Sequence, residues 1–191
     1  MKDRLRKFEA DELDDEQLVI YNLYTPSEVA KRPRAMPLMD DAGHLQGPIN
    51  SWLLSPQIGV GLQVLGKAIR AAPLLSPRSQ EIIILVVAQR LQSAFERAAH
   101  EVTARAAGLT EADIDALSAG TPAHFDDAEE QLCYELAQLM MDNGALTDVE
   151  YAHAVDVLGE RKLFEVAAVV GWYQMVGLSM SVFQVMPPEM P

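Results

Sequence analysis

The sequence predicts an all-α protein, and three observations support this fold class. At several points a serine or threonine precedes a proline, or stands three residues before an acidic residue, as at helix starts. Between these starts, apolar residues recur at steps of three and four, which is the helical period. No segment has the pattern of a convincing strand, and neither a GxGxxG nor a P-loop motif occurs.

These signals divide the chain into an N-terminal extension and loop at residues 1–46 and a helical domain at residues 47–191. We expect the highly charged residues 1–17 to be loosely attached and the apolar residues 18–24 to pack on the domain. A Thr25-Pro26 helix start precedes a loop rich in proline and glycine. Within the domain we predict helices at residues 56–71, 77–92, 94–107, 111–119, 126–143, 148–159 and 160–183.

Two of the predicted helices contain unusually apolar runs. The β-branched run from Ile82 to Val87 could form a strand by local propensity, but the Ser76-Pro77 start before it favours a buried helix. Residues 163–183 lack Lys and Arg and are long enough to span a bilayer. Because Glu165 and Gln174 interrupt this run, we favour a helix buried in the core or in a subunit interface. We therefore expect a homo-oligomer and no membrane partner.

Composition limits the classes of partner. The 191 residues are 49% hydrophobic, which is enough for one well-cored domain. Asp plus Glu is 28 and Lys plus Arg is 15, so the net charge is -13. This charge repels phosphate backbones, and we expect no nucleic-acid partner. An anionic substrate would need one or two well-placed arginines as a local exception.

Cysteine and histidine usage argues against a metal or disulfide centre. The single cysteine, Cys133, excludes an internal disulfide and any CxxC motif, and it is expected in the core. The histidines show no HxxxH or HExxH spacing, so we expect no metal site. The N-terminus lacks the apolar stretch of a secretory signal, which favours a cytoplasmic protein. The four histidines are His44, His100, His124 and His153.

Chemistry-capable side chains cluster at Ser93-x-x-Glu96-x-x-x-His100. Glu96 and His100 are four residues apart, so they share one helix face at a separation of about 6 Å. A carboxylate beside an imidazole raises the histidine pKa, which gives a proton donor and acceptor usable near neutral pH. The alternatives are an ordinary surface pair, or a capping box in which Glu96 reaches back to Ser93.

Glu81 strengthens the case for a site. It precedes a run of buried-looking residues, and an unpaired buried carboxylate is costly, so it should have a partner. His100 on the adjacent helix is a natural one. The alternative is a partly exposed acid in the first helical turn, favoured there by the helix dipole. Other side chains could wall a site or bind a carboxylate, namely Trp52, Trp172, Tyr173, Arg70, Arg78, Arg90 and Arg97.

Residues 75–117 resemble the carboxymuconolactone decarboxylase family, which includes the alkylhydroperoxidase D-like proteins. The matching segments are Leu75-Ser76-Pro77-Arg78-x-x-Glu81, Ser93-Ala94-Phe95-Glu96-x-x-x-His100 and Ala104-Arg105-Ala106-Ala107-Gly108-Leu109. The Gly47 to Leu53 segment is similar to the lead-in of longer members. The resemblance implies an alkylhydroperoxidase D-like helical bundle that assembles as a dimer, trimer or hexamer.

The chain departs from the peroxidase branch of this family at two positions. That branch has a glutamate, then CxxC, then a histidine four residues after the second cysteine. Glu81 and His100 match the glutamate and histidine, while Ser93 and Glu96 stand in the cysteine positions. A thiol peroxidase cycle needs both a thiolate and a resolving thiol, so we expect no such activity.

The decarboxylase branch implies a cofactor-free carboxy-lyase of aromatic-acid catabolism, acting on a small cyclic acid or lactone. On this interpretation His100 donates the proton and contacts the enolate, Glu81 orients His100 or relays the proton, and Glu96 tunes the pair. Substrate binding is assigned to Ser93, Trp52 and Arg78. The alternatives are a lactone hydrolase or isomerase with the same Glu/His pair, and a non-catalytic helical oligomer that binds a small molecule.

Overall fold

The computed structural model describes residues 4–24, 36–71 and 74–187, so the helix start predicted at Thr25 and Pro26 lies outside it. Within these ranges the chain forms eight α-helices, a 3-10 turn at Ala10–Glu12 and no strand beyond one isolated bridge, which confirms the all-α prediction. The helices are α1 (Asp15–Asn22), α2 (Pro48–Trp52), α3 (Pro56–Ala71), α4 (Pro77–Arg90), α5 (Ala94–Ala107), α6 (Glu111–Ala119), α7 (Ala128–Asn143) and α8 (Asp148–Phe183).

Local side-chain bonds set most helix starts. The Ser76 hydroxyl accepts from the backbone N–H of Ser79 at the start of α4. Reciprocal capping boxes at Thr110 and Thr147 begin α6 and α8. At the end of α5, Gly108 has a φ of 93°, a left-handed conformation that costs glycine little. The capping predictions at these three starts are confirmed.

Helix α4 is the centre of the bundle and contacts α5, α6, α7 and α8. Every residue of the run from Ile82 to Val87 is at most 4% exposed, because neighbouring helices cover the whole circumference of α4. The helical interpretation of this β-branched run is therefore confirmed. Tertiary burial outweighs local strand propensity here.

Helix α8 is interrupted at Gly159, whose φ of 73° is not helical, near the predicted boundary between two helices. The helix is long and apolar enough to cross a membrane by length and composition, with a mean hydropathy of 1.5 in its most apolar stretch. Its inner face packs against α4 and α7 and buries Val166, Val169 and Val170, as expected for a core helix. The opposite face is exposed, and 44% of that stretch is buried.

The N-terminal part packs on the bundle from residue 4 onward. The backbone N–H of Arg4 donates to the carbonyl of Phe183 at 2.8 Å. Leu13 is buried, Ile20 in α1 is fully buried, and α1 contacts α3. The described portion of residues 1–17 is thus more firmly anchored than its charge suggested.

Helix α3 approaches the bundle through two glycines. Gly59 and Gly66 are its buried residues, and a Cβ at either position would collide with Trp52 or Trp172 respectively. The apolar side chain of Ile58, although at a helical step, is 57% exposed. Because α3 contacts the bundle closely at Gly59 and Gly66, its other residues can form one wall of a cavity.

Candidate active site

Helices α4 and α5 bring Glu81 and His100 together. The His100 Nδ1 atom lies 2.8 Å from Glu81 Oε2, and the Thr103 hydroxyl donates to the same oxygen at 2.8 Å. The side chains of Glu81 and His100 are 14% and 16% exposed. Glu81 is therefore a largely buried acid with two partners. It is the fifth residue of α4, beyond the first turn, so the alternative of a partly exposed first-turn acid does not hold.

Glu96 approaches the same imidazole from the other side. Its Oε2 atom lies 3.3 Å from His100 Nε2, and its side chain is 8% exposed. Ser93 occupies the N-cap position of α5, but its hydroxyl accepts no capping hydrogen bond. The capping-box alternative for Ser93 and Glu96 is therefore wrong, and the Glu96 carboxylate contacts the histidine.

The charge on His100 follows from these contacts. Burial alone would lower the pKa of the imidazole, but hydrogen bonds and charge attraction from Glu81 and Glu96 outweigh it and raise the pKa to about 10. His100 is accordingly an imidazolium at neutral pH, held between two carboxylates.

The Tyr173 ring packs edge-on against this imidazole. Their centroids are 5.0 Å apart and the planes meet at 90°. Burial raises the Tyr173 pKa, and the Glu96 and Glu81 charges raise it further, against a weaker lowering by Arg70. The phenol therefore stays protonated and supplies a neutral hydroxyl beside the charged side chains of Glu81, Glu96 and His100.

Glu96, His100 and Tyr173 line a cavity of about 540 Å³, a size suited to a small organic ligand, whereas Glu81 lies behind His100 and does not line it. Helix α5 contributes Glu96, His100 and Thr103, and α3 contributes Lys67 and Arg70. The remaining walls are mainly apolar or aromatic and include Tyr24, Met36, Leu38, Pro48, Ile49, Trp52, Phe95, Trp172, Tyr173 and Val176.

The three residues assigned to substrate binding are placed differently from one another. Trp52 lines the cavity, and its indole N–H has no hydrogen-bond partner within the described residues. Ser93 is buried beside the site but does not line the cavity. Arg78 lies away from it, because its guanidinium pairs with Glu130 at 2.6 Å and donates to the Gly108 carbonyl. The placement of Ser93 and Arg78 gives no support to direct substrate contact.

Two residues of the site, Thr103 and Lys67, were not predicted from the sequence. Thr103, which donates to Glu81, is three residues after His100 on the same helix. Lys67 is three residues before Arg70, and both line the cavity. Helical spacing from residues already singled out could have indicated both, since positions three apart share a face.

Cys133 and His44 lie outside the cavity. Cys133 is fully buried, and burial raises the pKa of its thiol to about 12, so it is not a reactive thiolate. His44 also lies between two carboxylates, at 3.0 Å from both Asp40 and Glu9. Among the described residues, no group of three or more His, Cys, Asp or Glu is arranged to hold a metal ion.

Comparison with known proteins is consistent with this geometry. The carboxymuconolactone decarboxylase family model matches residues 59–138, which contain Glu81, Glu96 and His100. A solved structure described as an alkylhydroperoxidase AhpD core, an uncharacterized peroxidase-related protein from Ralstonia eutropha JMP134, has a TM-score of 0.75 at 12% identity. The match covers 98% of this chain and 93% of that chain, and at this identity it shows the fold alone. No curated protein matches the sequence significantly.

The molecule is thus an alkylhydroperoxidase D-like helical protein by fold. The family model that matches residues 59–138, together with this fold, supports the resemblance to the carboxymuconolactone decarboxylase family that residues 75–117 suggested.

Proposed function

We propose that this protein is a cofactor-free decarboxylase of the carboxymuconolactone decarboxylase type, acting on a small cyclic carboxylic acid or lactone. The supporting observation is an imidazolium, His100, held between Glu81 and Glu96 at the wall of a largely apolar cavity. Its partner is a small-molecule substrate that the cavity can enclose.

Decarboxylation of an unsaturated lactone acid needs charge stabilisation and one proton. When the carbon–carboxylate bond breaks, its electron pair moves into the ring and the lactone carbonyl takes up the charge as a dienolate. The enzyme must stabilise that oxygen and protonate carbon. A histidine with a pKa of about 10 remains a cation in the resting enzyme and can transfer its proton to a strongly basic dienolate.

The neighbours of His100 fit supporting roles. Glu81 holds Nδ1, and the Thr103 hydroxyl fixes the same carboxylate oxygen, so the ring orientation is set from the protein side. Glu96 and His100 both line the cavity and can contact substrate. Tyr173 supplies a protonated phenol within the same cavity, suited to donate to a developing enolate oxygen.

We further propose that the protein has no thiol peroxidase activity. Ser93 and Glu96 stand where the peroxidase branch carries its cysteines. The remaining thiol, Cys133, is buried and held protonated. Neither an attacking nor a resolving thiolate is available.

The test is CO2 release from candidate unsaturated lactone acids by the purified full chain. We expect His100→Ala and Glu81→Gln to lower the turnover rate by about 100-fold or more, the range typical of general acid–base groups. His44→Gln is the matched control, because His44 also lies between two carboxylates but outside the cavity. Undiminished turnover in both site variants would remove this site assignment, and ring opening without CO2 release would instead indicate lactone hydrolysis.

A further inference from the structure

The cavity wall carries two cations that pair with no acid in the described part of the chain. Lys67 and Arg70 both line the cavity, and neither has a carboxylate within 4.0 Å in the described residues. Acids outnumber basic residues by 28 to 15 in this chain. Six other basic side chains in the described ranges have acidic partners within this distance, namely Arg6, Arg78, Arg90, Arg97, Arg105 and Lys162.

The aromatic wall connects Arg70 to the proton-handling residues. Its guanidinium lies 5.7 Å from the centroid of the Trp172 ring, a cation–π distance. It is also near enough to the Tyr173 hydroxyl to act on the pKa of that phenol. Tyr173 in turn packs against His100, so the two cations and the imidazolium belong to one continuous site.

The charge balance of the site favours an anionic ligand. Glu81, Glu96 and the imidazolium of His100 together carry one negative charge. Lys67 and Arg70 change this to one positive charge, which a single carboxylate would neutralise. The rest of the cavity is mainly apolar and aromatic, so the remainder of the ligand should be a flat, weakly polar ring.

We propose that Lys67 and Arg70 form an anion subsite for the carboxylate of a small unsaturated ring acid, whose ring packs against Trp52 and Trp172. The inference rests on the proposed function, since it names a substrate class for the same cavity, but ligand binding requires no turnover. Both tryptophans of the chain line this cavity, so intrinsic fluorescence reports its occupancy.

The experiment is a fluorescence titration of the full chain with 2-furoate and with its neutral isostere 2-furamide. We expect furoate to bind at least tenfold more tightly than furamide. Arg70→Gln and Lys67→Gln should each weaken furoate binding about tenfold or more and leave furamide binding unchanged. Arg70→Lys should bind furoate more tightly than Arg70→Gln but less tightly than the wild type, because lysine keeps the positive charge but lacks the planar guanidinium.

Arg161→Gln is the matched control, since it removes one positive charge from an exposed position outside the cavity. Equal weakening by Arg161→Gln, or equal affinity for furoate and furamide, would overturn the subsite. Inorganic phosphate that competes with furoate at equal concentration would overturn the ring-acid class. Selective furoate binding without CO2 release from any candidate acid would refute the proposed decarboxylation and leave the anion subsite intact. CO2 release by a protein that binds furoate and furamide equally would support the decarboxylation and refute the anion subsite.

Discussion

At His100, burial and the charges of neighbouring side chains act in opposite directions on the pKa. Desolvation disfavours its cationic form, yet two carboxylates reverse the balance and raise the pKa from 6.5 to about 10. The folded state therefore binds a proton that the unfolded chain releases between these two pH values. Any such difference in proton binding makes folding stability depend on pH.

We predict that the free energy of unfolding falls as pH rises from about 6.5 to about 10. The contribution of His100 is fully present below the unfolded pKa of 6.5 and is lost as pH rises through the folded value, with a slope of at most about 1.4 kcal/mol per pH unit. Urea unfolding at a series of pH values measures this slope. His100→Gln should remove most of it, and an unchanged slope in that variant would show that other groups cause the fall.

Two serines at helix N-caps provide a second prediction. The Ser76 hydroxyl caps α4, whereas the buried Ser93 hydroxyl has no partner among the described residues. We expect Ser76→Ala to destabilise the protein by about 1 kcal/mol and Ser93→Ala to change its stability by less than about 0.5 kcal/mol. Chemical denaturation compares the two variants directly. A larger loss for Ser93→Ala would mean that its hydroxyl makes an interaction in solution.

At the residue scale, the pairing of Glu81 with His100 could be predicted because few side chains could serve as the partner of a buried carboxylate. A carboxylate preceding a buried run needs a partner, and His100 was the available one for Glu81. The sequence did not indicate which arginine lines the cavity. Arg70 faces the cavity and Arg78 pairs with Glu130, and both orientations depend on how the helices pack. Local pattern carries no information about that packing.

At the scale of elements, the ends of a helix depend on local sequence, whereas the exposure of its faces depends on how the helices pack. The start of α4 and the end of α5 follow from Ser76 and Gly108, which act on their own backbone, and both were predictable. The exposure of Ile58 on α3 was not, because the helical step marks an apolar face without saying what covers it. Glycine contacts with two tryptophans hold α3 in its position.

Helix α3 supplies a matched pair of glycine variants. A Cβ at Gly66 would overlap the Trp172 ring, whereas a Cβ at Gly61 meets nothing within 4 Å. We expect Gly66→Ala to destabilise the protein by about 1–3 kcal/mol through overpacking, and Gly61→Ala to stabilise it by up to about 1 kcal/mol through helix propensity. Thermal or urea unfolding of both variants tests this. Equal stabilities would show that α3 moves freely relative to α8.

At the scale of the whole molecule, α8 has two apolar faces and the described chain covers one. Its outer face exposes Phe164 at 74% and Leu178 at 52%, with Gly171 between them. Nothing within 4 Å requires glycine at position 171, although glycine lowers the stability of a helix interior. Exposed apolar surface of this kind marks an interaction site, and a glycine permits close approach of a second helix.

We therefore expect a homo-oligomer assembled through the outer face of α8. Phe164 and Leu178 each lie seven residues, about two turns, from Gly171, so an antiparallel pair of α8 helices crossing there would bring these side chains of opposite copies together. Sedimentation should give a mass at least twice the 21.0 kDa of one chain. Phe164→Asp should shift the protein towards the monomer, because assembly would bury its charge, whereas Val149→Asp, 79% exposed and before Gly159, should not. A wild-type monomer at micromolar concentration would contradict assembly, and an unchanged oligomer in Phe164→Asp would place the interface elsewhere.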